Sequence, residues 1–479
     1  MTEAAPVLTR IEAVARRIPD NPALLRDGTP IAYGALLRQV HGMAGQLARG
    51  GIAPGDAVGI TVGDVVGHIV VSLALMRLGC RQVSLPPSDP APLRDALARR
   101  LGLVAVVGEA AAEARGGAAL LRPDFDAAAA GRDAAHAPPV GRGTMVFSTS
   151  GTTGRPKLML AEEPVVTHKA DMLAGFGRVF LHAPSFDGHH SRRLTVRSLL
   201  TGGTEVLTGT LPARDLARLV ARFGVQRLHL APPALAALPD GLDGAAWPPG
   251  TRILTTGTRV PQAVRLQAQA RLGCALHVIY GTTEVGLVSI AGPDDHGRHP
   301  DSAGQVLPGV EAEVTGEDGQ PLPPGEEGLL RFRSAGAVRG YVDDPEADAR
   351  FFDDGWFRPG DVGRVLPGGE LLVAGRADDR MTLGIIKIFP AEIEAAAEGF
   401  PELRDCAAFA VPSGALGDIP VLAVVAGDGF DAAALLAHCR ARLGLRAPRK
   451  VVVLAALPRN ASGKVVRRDL VALLRTEGE

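Results

Sequence analysis

The stretch Ser148-Thr-Ser-Gly-Thr-Thr-Gly-Arg-Pro-Lys157 follows an apolar, strand-like run from Thr144 to Phe147. Its small residues let a backbone wrap closely around a phosphate, and its successive N–H groups and hydroxyls supply donors. Lys157 adds a mobile positive charge. The spacing is not that of a Walker A loop, which needs Gly, four residues and then Gly-Lys-Ser/Thr. A Gly/Ser/Thr-rich loop is more often an ordinary turn, but this one is longer and denser than a turn requires.

On the N-terminal side, helical and strand-like patterns alternate. Ile11 to Arg17 and Tyr33 to Ala48 read as amphipathic helices, Ala57 to Val62 as a short buried strand, followed by a helix to Leu78 and a strand at Arg81 to Leu85. Such alternation predicts a parallel sheet with helices on its faces. Residues 105–140 are Ala-rich and weakly patterned, which suggests a helix or two and a surface loop. On the C-terminal side a second alternating block has strands near Gln226 to Leu230 and Arg252 to Thr255 and a helix from Pro261 to Leu272. From about residue 300 the pattern turns to short β segments, at Val310 to Val314, Gly319 to Pro324 and Leu329 to Phe332. Past Gly375 a new unit begins, with strands at Cys406 to Val411 and Val421 to Ala426 and a helix at Ala432 to Leu443. No internal repeat is visible.

Four further segments carry chemistry. Tyr280-Gly-Thr-Thr-Glu284 ends a strand-like run with an aromatic, a Gly turn, two hydroxyls and a carboxylate. A carboxylate beside phosphates acts mainly through Mg²⁺, a hard cation that prefers oxygen ligands. Trp356-Phe-Arg-Pro-Gly-Asp361 sets an acidic residue on a turn between β segments. Gly375-Arg-Ala-Asp-Asp379 and Leu457-Pro-Arg-Asn-Ala-Ser-Gly-Lys464 complete the set.

In this order and spacing the five segments resemble the motifs of the adenylate-forming superfamily, the AMP-dependent synthetases and ligases: acyl- and aryl-CoA synthetases, peptide-synthetase adenylation domains and luciferases. The resemblance runs from Leu8 to about Leu474, and Arg339-Gly-Tyr341 and the helix-like Pro345 to Phe352 also fit its order. It implies an α/β fold with a large N-terminal domain (1–375) of layered α/β sheets and a small β-rich subdomain, a hinge (376–379), and a small, mobile α+β C-terminal domain (380–479). It implies that ATP or AMP is held by Ser148, Thr149, Ser150, Gly151, Thr152, Thr153, Gly154 and Lys157, with Thr256, Gly257 and Thr258 near the adenine and the acyl carboxylate. Adenine packs on Tyr280, with Gly281 and Thr282 beside it. Thr283 contacts phosphate, Glu284 binds Mg²⁺ and Asp361 takes the ribose. Arg376 contacts ribose or phosphate, Asp378 takes up the hinge motion, and Lys464 is the catalytic lysine.

The implied reaction is attack of a substrate carboxylate on the α-phosphorus of ATP, releasing pyrophosphate, followed by acyl transfer to CoA or a carrier-protein phosphopantetheine. Two half-reactions at one site need a conformational switch, which the hinge would supply. Three departures bear on this. In Leu383-Gly-Ile-Ile-Lys-Ile388 the family's near-universal Gly falls at Ile385, with Gly384 one position early, so a β-branched residue stands where the pantetheine arm approaches. The usual Gly-Gly-Ala/Glu segment reads Thr256-Gly-Thr258, and the phosphate loop is followed by Leu158-Met-Leu-Ala-Glu-Glu. For the acyl pocket, Phe186-Asp187 resembles the Phe-Asp of amino-acid-activating domains, where the Asp pairs with an α-amino group, while His189-His190 reads as loop rather than metal site. Besides an acid–thiol ligase, two readings stay open: a stand-alone amino-acid-activating domain, and a catalytically silent nucleotide- or acyl-binding protein.

Composition narrows the classes. At 479 residues the chain exceeds a single core, and 46% hydrophobic residues supply ample core material. Its 51 Lys+Arg and 52 Asp+Glu nearly cancel, which argues against nucleic-acid or anionic-membrane partners; a small carboxylic acid substrate and an acyl carrier protein are the partners that the resemblance implies. Cys80, Cys274, Cys406 and Cys439 are far apart, without metal-ligand spacing, and read as free thiols of a cytoplasmic protein. The start Met-Thr-Glu-Ala-Ala-Pro has no secretory character, so the sequon Asn460-Ala-Ser462 is a chance match. Asp64 and His68 interrupt the most apolar stretch, Ala57 to Gly79, which reads as buried core rather than a membrane span.

Overall fold

The computed structural model describes residues 5–108, 115–136, 140–149, 157–170, 172, 175–182, 189–209, 211–257, 260–299, 302–383, 386–413, 417–460 and 463–476. The chain forms two compact units. The first holds residues 1–229, 283–286 and 335–350, and the second 230–282, 287–334 and 351–479.

In the first unit, strands run in the spatial order Ala119–Leu121, Ala105–Gly108, Ala57–Thr61, Arg81–Ser84, Thr144–Thr149, Lys157–Ala161. All neighbours are parallel except the last pair, where Ser148 faces Leu158 and Thr149 faces Lys157 across an antiparallel ladder. The helix Val65–Leu78 shows why the apolar stretch folds this way. The Asp64 side chain accepts from the Gly67 N–H at 2.7 Å to start it, and Gly79, at φ 75°, ends it in the left-handed conformation that glycine adopts without strain. It is buried on nearly every face, and no described helix is long and apolar enough to cross a membrane. Val83, Leu103, Val106, Val146 and Leu158 join one core, so the phosphate loop leaves from a strand anchored in packed hydrocarbon.

Residues 105–140 depart from expectation. Two short parallel strands stand there besides the helix Phe125–Ala129: Ala105–Gly108 pairs with the fully buried Ala57–Thr61 and Ala119–Leu121 pairs with Ala105–Gly108, both segments too short to carry a periodic pattern. A second group of strands in this unit, Pro22–Arg26, Thr29–Ala32, Thr204–Leu207 and Val179–His182, was foreseen only as part of an alternating block. His189 and His190 open a helix, His189–Thr201, rather than lying in a loop.

The second unit carries strands in the order Phe352–Asp353, Trp356–Phe357, Gly328–Ser334, Asp361–Val365, Glu370–Arg376, Ser302–Val306, Gly286–Ala291, Ala275–Thr282, Arg252–Thr256, with Val310–Thr315 on Gly328–Ser334. Asp361 is the first residue of a strand rather than part of a turn, and Gly319 to Pro324 is a turn rather than a strand. The C-terminal lobe is built on the hairpin Leu403–Ser413 with Gly417–Ala426. Alternation sorts its side chains. Ala408, Leu422 and Val424 pack on the helices Pro390–Ala397 and Ala432–Leu443 through Ile393, Leu435 and Cys439. Ala407, Phe409, Val421 and Ala423 pack on Leu457 and Leu470 from the other face. Leu457 thereby anchors the segment that leads to Lys464.

Candidate active site

On the first unit, Glu284 follows the strand end of the Tyr280-Gly-Thr-Thr-Glu segment and is buried. Three contacts fix it. Tyr341 donates its hydroxyl to Oε1 at 2.8 Å, Val338 donates its N–H to the Glu284 carbonyl at 2.8 Å, and Arg193 donates to the Thr283 carbonyl at 3.1 Å. The Lys157 ammonium lies 5.3 Å from the centroid of the Tyr341 ring, a cation–π distance. Tyr341 therefore joins the lysine of the phosphate-loop segment to the candidate metal carboxylate. Burial and the adjacent Glu284 hold the Tyr341 hydroxyl far above its usual range, so it remains a donor. Among the described residues no group of three or more His, Cys, Asp or Glu side chains converges on a metal position. Mg²⁺ needs no such cage, because it keeps waters and phosphate oxygens and takes one or two carboxylates. Glu284 Oε2 has no hydrogen bond among the described residues, so the residues present fit such an ion.

On the second unit, Tyr280, Asp361 and Arg376 form one hydrogen-bonded chain. Tyr280 donates to Asp361 Oδ2 at 2.5 Å, and Arg376 donates to Asp361 Oδ1 at 3.2 Å and to the Pro359 carbonyl at 2.6 Å. Antiparallel pairing aligns Asp361 with Arg376 across neighbouring strands, which is why residues fifteen apart in sequence meet. The Tyr280 ring packs on Phe332 with centroids 5.7 Å apart, and burial plus the Asp361 charge push its hydroxyl well above the usual tyrosine range. Asp378 is exposed, 3.9 Å from Arg376.

Lys464 sits on a turn closed by the bonds Asn460 N–H to the Lys464 carbonyl (2.9 Å) and Lys464 N–H to Asn460 Oδ1 (3.0 Å). Its side chain reaches the Thr256-Gly257 segment: a methyl group placed on Gly257 would lie 4.0 Å from Lys464 Cε. Gly257 has φ +107°, a backbone conformation that side chains resist, so this approach is open because the residue is glycine. Ser148 and Lys157 lie on the two paired strands that flank the phosphate loop, and Thr256 ends the strand Arg252–Thr256. Thr149 begins the antiparallel ladder opposite Lys157. Gly281 and Thr282 end the strand Ala275–Thr282. Ser150, Gly151, Thr152, Thr153, Gly154, Thr258, Phe186, Asp187, Gly384 and Ile385 lie outside the described residues.

Residues 11–342 match the AMP-binding enzyme family, and residues 392–464 match the AMP-binding enzyme C-terminal domain. The chain belongs to the AMP-binding enzyme family. It is an AMP-forming ligase that uses ATP to activate a carboxylic acid as the acyl-adenylate, releases pyrophosphate and passes the acyl group to a thiol. The ligase is 30% identical over 482 residues to the feruloyl-CoA synthase of an Amycolatopsis species, covering 95% of this chain and 96% of that one. Among solved structures it resembles the amide bond synthetase McbA of Marinactinospora thermotolerans, with a TM-score of 0.87 and 26% identity over 98% of this chain and all (100%) of that one. ATP-bound MatB of Rhodopseudomonas palustris is similar too, with a TM-score of 0.86 and 25% identity over 98% and 100% of the two chains. The layered α/β architecture expected from the motifs is the fold of these enzymes, and the silent-protein reading gives way to an enzyme.

Two residues of the ligase escaped the sequence reading. Tyr341 was noted only for its place in the motif order, and Arg193 was given no role. Neither stands near Glu284 in sequence, so no spacing could have linked them to it.

Proposed function

We propose that the ligase forms the acyl-adenylate with Lys464 as the cation that brings two anions together. The substrate carboxylate, already ionised at neutral pH, attacks the α-phosphorus of ATP. A bond forms between carboxylate oxygen and phosphorus, the bond to the β-phosphate oxygen breaks, and pyrophosphate leaves, so no general base is needed. Lys464 orients the carboxylate and the α-phosphate and offsets the developing charge. Lys157 and Thr283 contact phosphate, Asp361 accepts from the ribose hydroxyls, Arg376 steadies Asp361, and Tyr280 backs the adenine. Mg²⁺, held through Glu284, would neutralise phosphate charge.

In the second half-reaction the thiol sulfur of CoA attacks the acyl carbon, AMP departs, and the thiol proton goes to solvent. A hinge at 376–379, turning about Asp378, would withdraw Lys464 and admit the thiol. The 30% identity to a CoA synthase over nearly all of both chains supports CoA and a small carboxylic acid as co-substrates. A carrier-protein phosphopantetheine is the other thiol of this chemistry. The likeness to an amide bond synthetase supports a second reading, in which an amine takes the acyl group. The four cysteines are unpaired and burial pushes each thiol up, which suits a reducing cytoplasm.

The observation that carries the proposal is the Lys464 side chain beside Gly257, on the unit that also bears Tyr280, Asp361 and Arg376. The test is pyrophosphate exchange against a panel of fatty, aryl and amino acids, followed by CoA or an amine as acceptor. Exchange with an aryl or aliphatic acid and thioester formation with CoA are expected. Acyl transfer to the amine alone would favour the second reading. Ile385→Gly should speed the thioester step if the β-branched side chain obstructs the pantetheine arm.

A further inference from the structure

The turn that carries Glu284 is held by a buried cation that no motif indicates. Arg193, on the helix His189–Thr201, donates Nη1 to the Thr283 carbonyl at 3.1 Å and Nη2 to the Val165 carbonyl at 3.2 Å. Its guanidinium carbon lies 5.8 Å from the ring centroid of Phe147, on the strand that leads into the phosphate loop. Only 4% of the residue is exposed, and among the described residues no carboxylate stands at ion-pair distance. Burial lowers the guanidinium to about 10, and among the described residues Glu284 raises it again, so the group stays charged at neutral pH. A buried cation without a paired anion is destabilising. Two backbone carbonyls alone do not explain why the chain keeps a charge there.

Glu284 supplies the explanation. Its backbone is clamped on both sides, by Arg193 at the preceding carbonyl and by Val338 at its own, and Tyr341 fixes one carboxylate oxygen. A guanidinium is the side chain that can span two carbonyls with a rigid fork and still present full charge toward a carboxylate. We propose that Arg193 is a positioning residue for the metal-binding carboxylate: it fixes the Thr283-Glu284 turn, so that Mg²⁺ and ATP meet a preformed site. This rests on the reading of Glu284 as the Mg²⁺ ligand.

The test is calorimetric titration of ATP into the full-length protein with and without Mg²⁺, for the wild type, Arg193→Met, Arg193→Lys, Glu284→Gln and the Arg193→Met/Glu284→Gln double variant. The quantity read is the gain in ATP affinity that Mg²⁺ brings. Groups that orient a metal ligand are typically worth 10- to 100-fold in metal affinity, so Arg193→Met should cut that gain by about tenfold. Arg193→Lys, charged but without the fork, should recover part of it. In the Glu284→Gln background Arg193→Met should remove nothing more. Equal weakening of ATP with and without Mg²⁺, or additive losses in the double variant, would overturn the proposal by showing a merely structural arginine. If Glu284→Gln keeps the full Mg²⁺ gain, the ligand assignment itself falls. If Glu284→Gln loses the gain and neither Arg193 variant does, only the present inference falls. Should Arg193→Met not fold, Arg193→Lys decides: a partial loss supports the proposal and a wild-type gain sinks it.

Discussion

In the proposed reaction Glu284 and Lys464 bring opposite charges, and the structure treats the two residues in opposite ways. Glu284 is buried, clamped through two backbone carbonyls and hydrogen-bonded at its carboxylate. Lys464 is exposed on a turn that holds it only through its own backbone N–H and carbonyl, and among the described residues its ammonium has no hydrogen bond or ion pair. On the proposed function, the difference separates a group to be fixed before substrate arrives from one that would come and go. A metal carboxylate gains from preorganisation. A cation that serves one half-reaction and must leave for the next would be hindered by a local partner.

The largest test of this contrast is Lys464→Ala. Losing a preorganised cation at a developing charge should cost roughly 3–4 kcal/mol, a 10²- to 10³-fold fall in pyrophosphate exchange, with thermal stability unchanged because the side chain is exposed. Wild-type exchange in that variant would end the assignment.

Next in size is Asp361→Asn, which should raise the KM for ATP with little change in kcat. Hydrogen bonds to a charged group are worth about 1.5–3 kcal/mol, and both Tyr280 and Arg376 lose their anion. A fall in kcat at unchanged KM would instead place Asp361 with the reacting groups.

Acid should unsettle the fixed region before it touches the mobile one. Burial, then the charge of Arg192, lowers His68 to about 3, so in the fold it stays neutral while the unfolded chain takes a proton below about 6.5. Its contribution to stability is therefore complete above pH 6.5 and is lost as pH falls toward 3, at about 1.4 kcal/mol per unit. Chemical denaturation between pH 7 and 5 should show this loss, and His68→Gln should flatten the slope. His168, lowered to about 4 by burial and then by Lys169, Arg197 and Arg193, adds in the same direction.

The smallest effect is expected for Tyr280→Phe. The ring and its packing on Phe332 remain, and one hydrogen bond to Asp361 is lost. The KM for ATP should rise only a few-fold, about 1 kcal/mol. A large loss would mean that the hydroxyl, rather than the aromatic face, does the binding.

Residues that act as neighbours in sequence were legible without a structure: the strand from Thr144 that leads into the Gly/Ser/Thr-rich segment, the strand that runs to the Tyr280 segment, and the helix that ends at Leu78. Local periodicity, turn chemistry and spacing are properties of a short window, so one sequence displays them. The strands at Ala105–Gly108 and Ala119–Leu121 were not legible, because the first pairs with Ala57–Thr61, more than forty residues away, the second pairs only with the first, and their own pattern is weak. For the same reason Arg193 and Tyr341 went unread as partners of Glu284. Their roles arise from a hydrogen bond and a carbonyl brought near by packing, ninety and fifty-seven residues along the chain. By itself the sequence determined the family and the reaction class, since the motifs that carry them depend on side-chain type and short spacing. Only the tertiary structure decided how firmly each is held, because firmness is set by burial and by partners that the chain supplies from elsewhere.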